Sequence, residues 1–150
     1  MKESNVGEVY ARVFTDYPIW SPNNASNAGW PDRFMLLENS RVVVTELKVF
    51  TMNKSNYFRA NRFRPTQAAW FAKWQRAGGL CCLFFALQDN DEHLIGYSFM
   101  TQQHWRDWLS VPDNKYMLQD RQLFDSDHLP ELRRAMVRWF DHRNVIPQVA

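Results

Sequence analysis

The chain is poor in glycine, with five residues in 150, and they form no glycine-rich stretch. That excludes a phosphate-cradling loop of the nucleotide-binding kind, which needs closely spaced glycines so that the backbone can approach the phosphates. Cysteine is equally scarce. Cys81 and Cys82 are adjacent inside the apolar run 80–87. Neighbours on a strand point to opposite faces, so the two do not pair with each other, and no Cys/His spacing resembles a zinc site. They read as small core residues in a reducing compartment. No apolar run approaches the roughly 18 residues that span a bilayer. Residues 1–5, Met-Lys-Glu-Ser-Asn, lack the apolar stretch of a secretory signal. The expectation is a cytoplasmic protein with no membrane partner and no organic cofactor. His93, His104, His128 and His142 show no ligand spacing with acids, and no serine or cysteine carries the signature of a nucleophile.

One further absence is local. From 48 to 76 there is no aspartate or glutamate, while Lys48, Lys54, Arg59, Arg62, Arg64, Lys73 and Arg76 all fall there. The net charge of +2 therefore hides a basic block in an otherwise net acidic chain. Tyr57, Phe58, Phe63, Trp70, Phe71 and Trp74 interleave with the bases. Such a block suits a polyanion, because cations displace phosphate counterions and rings stack on bases. The plainer reading is a solvated face over core aromatics.

What is present is enough apolar material for one real core: 45% of residues are hydrophobic and 15% aromatic. Val6, Tyr10, Val13 and Phe14 have helical spacing within residues 3–14, with Ser4 as the expected cap. Tyr17-Pro18-Ile19-Trp20 is a short extended piece, and 21–29 is a loop rich in Asn, Ser and Ala. Residues 34–37 and 41–49 read as strands joined by Glu38-Asn39-Ser40, a hairpin. Residues 52–64 read as a polar, basic loop. Pro65 then opens a helix with apolar Ala68, Trp70, Phe71 and Trp74, stopped at Ala77-Gly78-Gly79. Strands follow at 80–87 and 94–100, with a turn at 88–91. Beyond Thr101 the pattern is helical, and Leu132, Met136, Trp139 and Phe140 form one apolar stripe. The order predicts one α/β domain over 1–150. Its core, about 3–100, is a mixed sheet flanked by helices, with a helical extension over about 101–150.

The hairpin carries the chemistry. If its turn centres on Asn39, Leu37 faces Arg41, Phe34 faces Val44 and Asp32 faces Glu46. Directly opposed Cβ atoms lie about 4.5–5.5 Å apart, and like charges so placed repel. A divalent cation between Asp32 and Glu46 turns that repulsion into binding, and such oxygen ligands suit Mg²⁺ or Mn²⁺. Lys48 is two residues past Glu46 and shares its face. An ammonium there can position an attacking water and stabilise charge on a pentavalent phosphate. The Leu47 carbonyl is a further candidate metal ligand.

Gly29-Trp30-Pro31-Asp32, thirteen residues, then Glu46-Leu47-Lys48 resembles the signature of the PD-(D/E)xK nuclease superfamily. Gln67 opens a helix that ends at Gly78-Gly79 and feeds an apolar strand, an order similar to the VRR-NUC and archaeal Holliday-junction resolvase branches. Glu8 matches the additional acid that those families often carry. The resemblance spans roughly residues 3–87. It implies a restriction-endonuclease-like core in which Asp32 and Glu46 hold the metal, Lys48 is catalytic, and Glu8 and Gln67 support the metal or the water. It also implies DNA, branched or duplex, as partner and a homodimer as the assembly. Trp30 departs from the pattern, being bulky where the family often has a smaller residue, which narrows the approach. Lys54, Arg59, Arg62, Arg64, Lys73 and Arg76 are the candidate DNA contacts. Three alternatives stand beside a junction-resolving endonuclease. One is a nuclease or nickase on duplex, flap or single-stranded DNA. Another is an inactive DNA-binding or inhibitory protein on the same fold. The third is a purely structural protein, in which Asp32 is a turn acid, Glu46 and Lys48 a strand-end ion pair, Glu8 a solvated helix residue and Gln67 a helix-start polar group.

Overall fold

The computed structural model describes residues 1–22, 29–59, 63–104, 107–113, 115–117 and 122–144. Strands β2 (Arg33–Leu36) and β3 (Val42–Thr51) form the expected antiparallel hairpin around a 3-10 turn at Glu38–Ser40. Phe34 faces Val44, Leu36 faces Val42, and Arg33 faces Thr45. The register follows from the apolar alternation, because a one-residue slip would turn every buried side chain to the other face. Strand β1 (Ile19–Trp20) pairs with the outer edge of β2. On the other side, β5 (Leu80–Gln88) runs parallel to β3, and β6 (Leu94–Met100) returns antiparallel to β5. The result is a five-stranded mixed sheet in the order β1-β2-β3-β5-β6. Every residue of β5 is buried, which is why its sequence is continuously apolar and does not alternate.

A parallel pair needs a crossover. Helix α2 (Pro65–Arg76) supplies it and lies on one face of the sheet, burying Ala68 and Phe71 with Val44, Phe50, Cys81, Leu83 and Phe85. Helix α1 (Glu3–Val13) and helix α3 (Leu129–Asn144) cover the opposite face. There Val6, Tyr10, Leu132, Met136, Trp139 and Phe140 pack against Val43, Leu47, Cys82 and Phe84. Cys81 and Cys82 thus face separate cores, both as free thiols. The apolar stripe of α3 is spent on this chain's own core, so that stripe is not a surface for a second copy. Arg133 fastens α3 to the end of α1, donating to the Val13 carbonyl and, from two nitrogens, to the Asp16 carboxylate at 2.6 and 2.8 Å.

Three details differ from the sequence reading. Helix α1 starts at Glu3, as its spacing implied, but Ser4 is not its cap: the cap residue is Lys2, whose backbone N–H donates to Asn5 Oδ1 at 3.0 Å. The basic stretch 52–64 contains a strand, β4 (Tyr57–Arg59), paired with β7 (Lys115–Met117). A three-residue strand whose partner lies far downstream has no local periodicity to betray it. For the same reason the segment after Thr101 is less helical than its pattern suggests. It holds a 3-10 stretch, Trp108–Asp113, then β7 and a 3-10 turn at Ser126–His128, before the regular helix α3. Tertiary packing decides its path: Trp108 is buried against the Phe63 and Phe71 rings, and its indole N–H donates to Gln75. Among the described residues, no helix is long and apolar enough to cross a membrane.

Candidate active site

The site forms where β2 leaves β3. Strand β2 ends at Arg33, opposite Thr45, while β3 continues to Thr51. Asp32 sits at the point of divergence. Its backbone N–H donates to the Thr45 carbonyl at 3.1 Å, and its Oδ2 accepts the Leu47 N–H at 2.9 Å. A side chain thus takes over from the strand that has gone. In a strand, the N–H and C=O of one residue share an edge, so the Leu47 carbonyl is directed into the same notch as the Asp32 carboxylate.

Glu46 points to the α2 face and has no solvent exposure. Its Oε2 accepts from Gln67 Nε2 at 3.0 Å and lies 3.8 Å from Lys48 Nζ, itself 4% exposed. Its Oε1 is buried with no hydrogen-bond partner. Burial first, and then the charge of Asp32, push the Glu46 carboxyl up to about 9, with Lys48 opposing the shift. The surroundings of Glu46 therefore disfavour its charged form, and further positive charge beside it would act in the opposite sense.

The supports come from both helices. Gln67 Oε1 accepts the Arg64 backbone N–H at 2.9 Å, closing the first turn of α2. That bond fixes the amide so that its nitrogen faces Glu46. Gly29, with φ +83°, brings the chain entering Asp32 against α2. A Cβ there would lie 2.6 Å from the Thr66 carbonyl oxygen. Behind Glu46, on the α1 face, Thr45 Oγ1 lies 3.0 Å from the Tyr10 hydroxyl and 3.3 Å from Cys82 Sγ, a buried polar link that pins α1 to β3.

Asp32, Glu46, Lys48 and Gln67 are therefore gathered into one cluster. Glu8 is exposed on α1, and the α1 acid whose charge acts on Glu46 is Glu3. A signal for Glu3 did exist. It lies one turn before Gly7, whose missing side chain lets α1 approach Arg33 and Leu47, with an ideal Cβ 2.8 Å from the Arg33 guanidinium. Of the candidate DNA contacts, Lys54, Arg59, Arg64, Lys73 and Arg76 are exposed and none forms an ion pair among the described residues. Arg62 lies outside the described residues. The aromatics interleaved with them are largely core. Phe58, Phe63 and Phe71 are buried, which corrects the expectation that these rings stack on bases. Asp89, Asp91 and His93 form a further acidic group on the turn between β5 and β6. Asp89 Oδ1 accepts the backbone N–H of both Asp91 and His93, which accounts for the group as a turn device.

No family profile and no curated protein matches the chain. Among solved structures it is similar to the Holliday junction resolvase Hjc of Archaeoglobus fulgidus, with 13% identity and a TM-score of 0.44 over 91% of this chain and 99% of that one.

Proposed function

We propose that this chain is a divalent-metal-dependent endonuclease that hydrolyses DNA phosphodiester bonds at the Asp32–Glu46–Lys48 site. The observation that carries the reading is the state of Glu46. A carboxyl is fully buried beside a second carboxylate, with one oxygen unpartnered and the other shared between Gln67 and Lys48. Burying a carboxylate without compensation is costly. An all-oxygen pocket of Asp32, Glu46 and the Leu47 carbonyl fits Mg²⁺ or Mn²⁺ in charge and donor type. Bound there, such an ion would supply Lewis acidity toward a phosphoryl oxygen and a more acidic water.

The chain's own groups have separable tasks. Asp32 and Glu46 would hold the ion, and Glu46 would shed its proton as it does so. Gln67, locked by its bond to the Arg64 N–H, keeps the Glu46 carboxylate in one orientation. Lys48 presents an ammonium at the same oxygen, placed to position the attacking water and to stabilise charge developing on phosphate. The exposed bases on and before α2 provide phosphate contacts that orient the strand. Within this reading, the leading substrate is a four-way junction cut by a homodimer, since two-fold symmetry places two sites on symmetric strands.

The test is cleavage of labelled four-way junction, flap, linear duplex and single strand with Mg²⁺, Mn²⁺ or EDTA, beside the Asp32→Ala and Lys48→Ala variants. Metal-dependent nicks lost in both variants are expected. Nicks on every substrate alike would retain the site and remove junction selectivity. Folded, metal-binding protein that cuts nothing would replace the enzyme with an inactive DNA-binding protein.

A further inference from the structure

The acid pair is bordered by rings that no packing requirement explains. Trp20 and Trp30 are 46% and 40% exposed, the two most exposed tryptophans on the described surface. Both rest on Phe34, which shares the sheet face of Asp32 and Glu46. Trp20 lies directly across from Phe34 in the register and stacks on it at 5.5 Å and 8°, while Trp30 meets it edge-on at 6.4 Å. From the other side α2 adds Trp70 and Trp74, stacked on each other at 5.2 Å and in contact with Phe34 at 6.1 and 6.2 Å. Trp30 also touches Trp70 at 6.2 Å. Five rings thus form one continuous patch, half-buried at its base and open at Trp20 and Trp30.

Its position is set by the same two elements that build the site. Phe34 is two residues from Asp32, about 7 Å along the strand. Trp70 is one helical turn from Gln67, so both lie on the same side of α2. Arg64, Lys73 and Arg76, all exposed, belong to that same helix and its cap. An exposed aromatic patch built partly on a helix that carries exposed cations, in a stretch (48–76) with no acid, is complementary to a strand whose bases are unstacked and whose phosphates are free.

We infer that Trp30 and Trp20 form a stacking platform for an unpaired nucleobase next to the scissile phosphate, so that the substrate carries single-stranded or locally unpaired DNA at the site. This rests on the nuclease reading and narrows its substrate class. Duplex ends and fully stacked helices offer no free ring face here, whereas flaps, gaps and opened junction centres do.

Binding without cleavage separates the two ideas. In EDTA, the full chain is titrated into a labelled oligothymidylate, the same oligomer with one abasic site scanned along it, and a blunt duplex. The Trp30→Ala, Trp20→Ala and Trp30→Phe variants are run alongside, with matched thermal melts to show folding. Trp30→Ala is expected to weaken single-strand binding by roughly 5- to 100-fold, while Trp30→Phe retains most of it and duplex binding is unchanged. At one abasic position the wild-type protein should lose as much, and Trp30→Ala should add no further loss. Equal losses on single strand and duplex, or none on either, would overturn the platform even if metal-dependent cleavage is observed. Base-coupled binding in a protein that cleaves nothing would sustain the platform and remove the nuclease. Absence of any binding to nucleic acid overturns both.

Discussion

If Glu46 is held protonated by burial and by Asp32, stability must depend on pH with a definite sign. The folded chain keeps a proton on Glu46 up to about pH 9, whereas the unfolded chain releases it near 4.5. Between those values the native state binds more protons, so raising the pH favours unfolding. The slope approaches about 1.4 kcal/mol per pH unit where the difference is one full proton. Glu46→Gln keeps the shape and the Gln67 contact and has nothing to titrate. Urea denaturation of both proteins in EDTA, from pH 5.5 to 8.5, measures the difference directly. His128, raised by its bond to Asp125, also loses stabilisation as pH rises, but it does so equally in both proteins and cancels. Asp16, Asp89 and Asp125 are all held low, so their contributions are lost only in acid, below this window. The variant should therefore gain on wild type steadily as pH increases. Mn²⁺ should reverse the ranking, because a cation in the pocket competes with the Glu46 proton and binds the wild type more tightly at higher pH. Parallel pH profiles for the two proteins, or a wild type that grows more stable toward pH 8.5 without metal, would refute the account of Glu46.

Three other outcomes follow from the same geometry. Lys48→Met, which keeps the buried stem and removes the ammonium, should lower cleavage by about 10²- to 10³-fold while a Mn²⁺-induced rise in Tm persists; loss of both would make Lys48 structural. Gln67→Ala opens the α2 cap and releases Glu46, costing about 1 kcal/mol. Gln67→Glu restores the acceptor for the Arg64 N–H but sets a third carboxylate against Glu46, so denaturation should show recovered stability below pH 6 and continued loss of cleavage. Gly29→Ala forces a Cβ against the Thr66 carbonyl at positive φ, and should cost about 1–3 kcal/mol and impair cleavage beyond the loss in folded protein, as read from kcat per folded molecule.

The hairpin and its acid pair were legible because three features agree. The apolar alternation sets a register, the three-residue polar turn fixes its phase, and one arithmetic of facing residues then opposes Asp32 and Glu46. The observed pairs Phe34–Val44 and Leu36–Val42 bear that register out as far as Arg33–Thr45, where the ladder stops; Asp32 is not a ladder partner of Glu46 but bonds to the backbone of Thr45 and Leu47. The Gln67 helix was legible from Pro65 and the glycine stop. What failed to show was anything that depends on contacts between distant segments. The β4–β7 pair and the Trp108 anchor are short, and each is stabilised by a partner that local pattern does not contain. The aromatics told a similar story in reverse. Those inside the basic block drew attention by their neighbours' charges, yet most of them fill the core. The exposed rings, Trp20 and Trp30, stand outside that block in sequence and join it through Phe34 and, for Trp30, through direct contact with Trp70. Glu3 and Glu8 are equally plausible on the helix in isolation, and both are exposed; of the two, Glu3 is the one whose charge acts on Glu46, as the smallest of the influences on it.

A structural ion pair would be built differently from what is found at Glu46. Where a protein retains a buried charge for stability or specificity, its lone pairs are satisfied and its neighbours are of opposite sign. Here the nearest neighbour is another carboxylate, Asp32, with which Glu46 can share a hydrogen bond only by taking up a proton; Lys48 stands at 3.8 Å, beyond a good hydrogen bond, and no donor reaches Oε1. Replacing the group by a packed apolar side chain would relieve all three costs. A sequence under selection for folding alone has an easy route to that replacement, because Val44 and Phe50 already occupy equivalent positions on the same strand face. The neighbouring devices all act to hold the carboxylates open: the Asp32 bond to the Leu47 N–H, the two-ended Gln67 bridge and the close passage of Gly29 past Thr66. Each stabilises the geometry of the site locally, and positive charge entering between Asp32 and Glu46 would offset the repulsion that remains.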